Sequence, residues 1–187
     1  MKHLIDKEDD DITMTWSQYR ETFSGKGADE TEVSKEADLH SSYANYIRIA
    51  MEETNTIPTK YMLRKINKYF LLALHYNPQN ITALTSYAGF LEEHLKRDKK
   101  ALQVLKKAID LSHQVNVVYS DDSALFYLLY DKYVSYSRLL AKNPATQKEA
   151  LEYRYKALGL DPGAVLSPDY EIFIAEEADE ETEENLS

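Results

Sequence analysis

The chain writes nearly the same seven residues twice, as SSYANYI from Ser41 and TSYAGFL from Thr85. A second set of near-copies runs ALHYNP from Ala73, AIDLSH from Ala108 and ALGLDP from Ala157. Self-similarity at intervals of a few tens of residues marks a repeat architecture, in which each unit buries its apolar face only by stacking on the next. No bulk property of the 187 residues constrains the fold as tightly.

The repeated units are helical. From Asp38 onward apolar residues recur at spacings of three and four, the period of an amphipathic helix. The pattern predicts helices over 38–53, from Pro58 to about Tyr76, over 81–96, over 99–113 behind Asp98 as cap, from Asp121 or Asp122 to Ala141, and over 145–158 with Gly159 as stop. Pro58 suits a first helical turn. Ser167-Pro168-Asp169 signals a seventh, short helix. Only VVYS at Val117 resembles a strand, and it is too short. The predicted class is all-α, with antiparallel helical hairpins stacked into a short superhelix of about three hairpins plus a terminal helix.

The second helices align as Ile66-Phe70-Ala73-Pro78, Ala101-Leu105-Ala108-His113 and Ala150-Arg154-Ala157-Pro162, with spacings of 4, 3 and 5 each time. Together with Tyr43-Ala44, Tyr87-Ala88 and a weaker copy in KYVSYS from Lys132, they resemble the tetratricopeptide repeat (TPR) over residues 38–162. The departures are a period of 35 and then 49, Arg154 at the aromatic position and His113 at the proline. The resemblance implies a right-handed superhelix whose first helices line a concave, protein-binding groove. YAGFLEE is similar to the half-TPR repeat of RNA-processing scaffolds as well. Some TPR domains clamp a C-terminal carboxylate. Asn45 falls at a clamp-like position, but Gly89 stands at its counterpart and Ser41 and Thr85 stand where the lysine belongs, so that ligand is not implied.

Chemistry is sparse. Without cysteine the chain has no disulfides, thiolate metal sites or thiol nucleophiles. Its histidines show no zinc-hydrolase spacing, and Glu92, Glu93 and His94 read as a solvated helix face. There is no phosphate loop and no Gly-x-Ser-x-Gly elbow. No catalytic residue, cofactor or metal is expected, and the protein is not expected to be an enzyme.

Charge divides the chain. Residues 1–36 carry a net −5, residues 176–187 a net −7, and the body between them +2. We read 1–36 as a weakly ordered acidic arm holding one amphipathic helix over 13–23, with Trp16, Tyr19 and Phe23 on a face that docks on the body. Residues 37–175 form the repeat domain and 176–187 an acidic tail. The acidic ends argue against nucleic acid. The basic cluster Lys96-Arg97, Lys99-Lys100 and Lys106-Lys107 lacks the interleaved aromatics of a base-stacking surface. No signal peptide or membrane-length apolar run is present, which points to a cytoplasmic location without membrane insertion.

The expected function is that of an adaptor or scaffold binding another protein or peptide. The expected groove residues are Tyr43, Asn45, Tyr46, Thr85, Gly89, Glu92, Tyr130 and Tyr133. The stripe Tyr127, Tyr130, Tyr133 and Tyr136 supplies the aromatic part, since tyrosine is enriched in interfaces. Alternative expectations are a small secretion-type chaperone and a half-TPR RNA-processing scaffold. A homodimer, or docking of the N-terminal helix, would complete so short an array.

Overall fold

A computed structural model describes residues 13–23, 32–116 and 122–160. The predicted helix near 168–173, the VVYS stretch and the acidic tail lie outside the described residues. The described chain is helical: α1 Trp16–Phe23, α2 Glu32–Glu53, α3 Lys60–Tyr76, α4 Ile81–Glu93, α5 Asp98–Asn116, α6 Asp122–Ala141 and α7 Gln147–Leu160. A single 3-10 turn at Pro144–Thr146 leads into α7.

Local chemistry sets the boundaries. Thr59 caps α3, its hydroxyl accepting from the Met62 amide at 3.2 Å, so Pro58 lies before the cap and not in the first turn. Asn80 caps α4 by accepting from the Ala83 amide at 2.9 Å, and Asn143 accepts from the Ala145 amide at 3.1 Å. Past the end of α2, Asn55 takes the left-handed conformation at φ 49°. The Thr56 amide then reaches the Met51 carbonyl at 3.0 Å and the Asn55 amide reaches that of Glu52 at 3.1 Å. These paired bonds satisfy carbonyls the helix would otherwise leave open. Gly159 does not stop α7, which runs through it to Leu160. α2 begins six residues before the predicted Asp38, in the polar stretch that composition had assigned to the arm.

The helices pair as α2–α3, α4–α5 and α6–α7. Each pair is antiparallel: in the first, His40 meets Tyr76 while Tyr43 meets Tyr69. The first helices run side by side in parallel. Asp38 of α2 accepts from Asn80 at the start of α4, Asn45 reaches Ser86 midway, and Glu52 meets His94 at the far end. α4 and α6 join through Glu92, Arg138 and Lys142. The architecture is a stack of three helical hairpins with a layer of first helices and a layer of second helices.

The repeated residues explain the stack. Ile66, Ala101 and Ala150 are buried, as are Phe70, Leu105 and Arg154, and Ala73, Ala108 and Ala157. Each triplet buries a small or aliphatic residue, a bulky one and an alanine, and in the first the bulky Phe70 packs on Tyr87 and Phe90 of the next hairpin. The alanines let the backbones approach, and the bulky residue fills the volume beside them. α1 docks on α2, with the Trp16 ring stacked on His40 at 4.4 Å and lying 5.2 Å from both Tyr43 and Tyr69.

Candidate functional site

The expected groove residues divide into two groups. Tyr43 and Tyr133 are core side chains and not groove lining. The tyrosine repeated in each first helix performs one structural task three times. Tyr87 packs on Phe70 of the preceding hairpin, and its hydroxyl donates to Asn67 Oδ1 at 3.0 Å while accepting from Lys100 at 3.2 Å. Tyr133 bonds His113 Nε2 of the preceding hairpin at 2.8 Å and packs edge-on against Tyr153 of its own. Tyr43 packs on Tyr69 of its own hairpin, and its hydroxyl donates to the Met14 carbonyl at 2.9 Å. No hairpin precedes α2 in the described chain, and α1 with its leading residues fills that role. Each ring stays buried because the backward hydrogen bond satisfies its hydroxyl.

Tyr46 is half-buried and belongs to the same clasp: its hydroxyl accepts from the Met14 amide at 3.1 Å, and Tyr19 lies against its ring at 5.4 Å. Tyr136 is core too. Burial, with the Glu149 carboxylate next in weight, pushes its hydroxyl pKa up to about 12. Burial likewise raises the Tyr133 hydroxyl and lowers the ammonium of Lys132, which Asp131 only partly offsets. The side chain of Tyr127 lies outside the described residues. Glu92 is a clasp as well, 6% exposed, holding Arg138 Nη2 at 2.9 Å and Lys142 Nζ at 3.1 Å. It ties α4 to α6 and offers no free carboxylate to a ligand.

Asn45 meets α4 at Ser86, and Thr85 and Gly89 are part-buried positions on the same stretch of α4, four residues apart. Asn45 Nδ2 donates to Ser86 Oγ at 3.2 Å, and its Oδ1 has no hydrogen-bond partner. Thr85 turns its hydroxyl back to the Ile81 carbonyl at 2.9 Å. A Cβ built on Gly89 would meet no atom within 4 Å, so the α4 backbone is open there. Sequence reasoning missed the rest of this strip: Ser42 and Ile49 on α2, Ser86 and Glu93 on α4, and Val134 and Arg138 on α6. Helical spacing was the available signal, since Ser42-Asn45-Ile49 and Ser86-Gly89-Glu93 follow the i, i+3, i+7 rule. Tyr130, half-buried on α6, adjoins Val134 one turn on.

The strip combines small hydroxyl and amide groups, an exposed isoleucine and an exposed guanidinium. It is suited to hydrogen-bonding an extended or helical segment laid across it. Its residues assemble no nucleophile with a base, and no pair of carboxylates at acid–base spacing. The basic cluster is dispersed in space. Lys100 lies over the Tyr87 ring and Lys106 bonds Tyr153 and Asp110, while Lys96, Arg97, Lys99 and Lys107 point to solvent. Among the described residues no helix is long and apolar enough to cross a membrane.

No protein-family model matches the chain, and comparison with curated proteins and with solved structures gives no match.

Proposed function

We propose that this chain is a non-enzymatic adaptor of TPR-like type, which binds a partner protein or peptide across its first-helix layer at Asn45, Thr85, Ser86 and Gly89. The observation that carries the proposal is Gly89. Glycine inside a helix costs about 0.8–1.0 kcal/mol relative to alanine. The usual return is close packing against a neighbouring element, and among the described residues no atom lies within 4 Å of where a Cβ would stand. The same backbone opening admits close approach of another chain. It lies one turn from Ser86, which accepts from the Asn45 amide of α2 and so brings both first helices to the same opening. The triple-hairpin stack and the parallel first helices support the TPR-like assignment.

The test compares partners co-purified by wild type and by Gly89→Arg, with circular dichroism and thermal melting showing that both fold. A specific partner held by wild type and lost by Gly89→Arg supports the proposal. Equal retention moves the interaction off this face and overturns the assignment of the site.

A further inference from the structure

The far end of the first-helix layer holds a cluster that meets the strip only at Glu93. α2 and α4 run parallel, so their C-termini lie side by side, presenting Glu52 from the last turn of α2 and Glu93 with the capping His94 from α4. One carboxylate oxygen from each glutamate and one ring nitrogen of His94 lie within 4.8 Å of one another. His94 Nε2 is shielded from solvent and has no hydrogen-bond partner, although Glu52 Oε1 is 3.4 Å away. Their alignment is not that of a hydrogen bond. Nε2 facing Glu52 Oε1 makes an ion pair when the ring is protonated, and the two are metal donors aimed at one point when Nε2 is deprotonated.

We propose that Glu52, Glu93 and His94 bind a divalent transition-metal ion, with Zn2+ as the physiological class. Two ligands held about 2.0–2.1 Å from a tetrahedral zinc stand roughly 3.4 Å apart, the separation already found between Nε2 and Oε1. Glu93 is exposed, and its carboxylate oxygen lies within 4.8 Å of the other two donors. A solvent molecule fills the fourth position, as in three-ligand zinc sites. One imidazole with two carboxylates favours zinc and its first-row neighbours over Mg2+ and Ca2+, which take all-oxygen shells. The helix C-termini carry partial negative charge, which favours a cation. Arg48 Nη1 already holds Glu52 Oε1 at 2.8 Å, so the ion competes with that guanidinium for the oxygen. The bound ion would pin the first hairpin to the second at the end of the layer opposite the Asp38–Asn80 bond.

Isothermal titration of the full chain with ZnCl2, and visible absorption with Co2+, test the proposal in wild type, His94→Gln and Glu93→Gln. Circular dichroism checks each fold, and Glu93→Gln is a surface change that leaves the core intact. The expected result is one ion per chain, a four-coordinate cobalt spectrum, a raised melting temperature with Zn2+ but not Mg2+, and affinity at least about 10-fold weaker in each variant. No saturable uptake by wild type up to about 1 mM overturns the proposal. So does uptake that neither substitution weakens, which would place the ion elsewhere, on the acidic tail for instance.

Discussion

Replacing Gly89 with alanine should stabilise the protein. The position lies in the interior of α4, and the added Cβ meets no heavy atom within 4 Å, so the substitution brings no clash. What remains is helix propensity: alanine gains about 0.8–1.0 kcal/mol over glycine, largely by restricting the unfolded chain. For a protein of this size about 1 kcal/mol moves the melting temperature by roughly 2–4 °C. Urea denaturation and calorimetry measure the gain. An unchanged m-value shows that it belongs to stability and not to altered compactness. Gly159→Ala, at the end of α7 and also free of contacts, is the control and should gain less, because helix ends fray. A midpoint lowered by Gly89→Ala would refute the reasoning, since it would mean that a neighbouring element packs on Gly89 and accounts for the glycine.

Three further outcomes follow from the packing. Tyr43→Phe removes the hydroxyl bonded to Met14 and should cost about 1 kcal/mol, appearing in hydrogen exchange as lost protection over 13–23 with α4–α7 unaffected. His40, between the rings of Trp16 and Tyr76, is held below its ordinary pKa by burial; Glu36 pulls the other way, and Arg20 and Lys68 add to the lowering. The stability lent by neutral His40 is therefore complete above about pH 6.5 and is lost as pH falls through its lowered folded-state value. The emission of Trp16, the single tryptophan, should shift to the red over that range, and a shift to the blue would mean that the Glu36 attraction outweighs burial. At the Glu92 clasp the two sides should differ. Glu92→Gln leaves two half-exposed cations that resolvate, at a cost of about 1 kcal/mol. Removing both Arg138 and Lys142 strands a buried carboxylate at about 3 kcal/mol, and urea midpoints order the two.

The stack was legible because its signals are local and periodic. The spacing of Ile66, Phe70 and Ala73 and its two echoes fixes which side of each second helix is buried, and those nine positions are buried. The docking of Trp16 and Tyr19 on the body was legible for the same reason. The tyrosines misled in an instructive way. Interface enrichment drew Tyr43 and Tyr133 to the groove, whereas their repetition marked them as core. A residue that recurs in every unit serves the contact every unit makes, and the backward hydrogen bond that permits its burial cannot be seen from one helix alone. Glu92 was misplaced because its cations lie 46 and 50 residues downstream. The three-ligand cluster was missed because Glu52 comes from another helix. The early start of α2 escaped because Glu32–Ala37 is polar. Its tertiary tie runs from Glu36 to Arg20 of α1, and propensity does not register it.

The central claim is that partners meet the first-helix layer. A photo-crosslinking amino acid placed at Ser42 or Gly89 on that layer, and at Leu71 or Tyr155 on the exposed side of the second helices, tests it in cells. The account predicts a discrete adduct with one other protein from positions 42 and 89 and none from 71 and 155. Adducts from 71 or 155 alone would contradict it, placing the binding surface on the opposite layer of the stack.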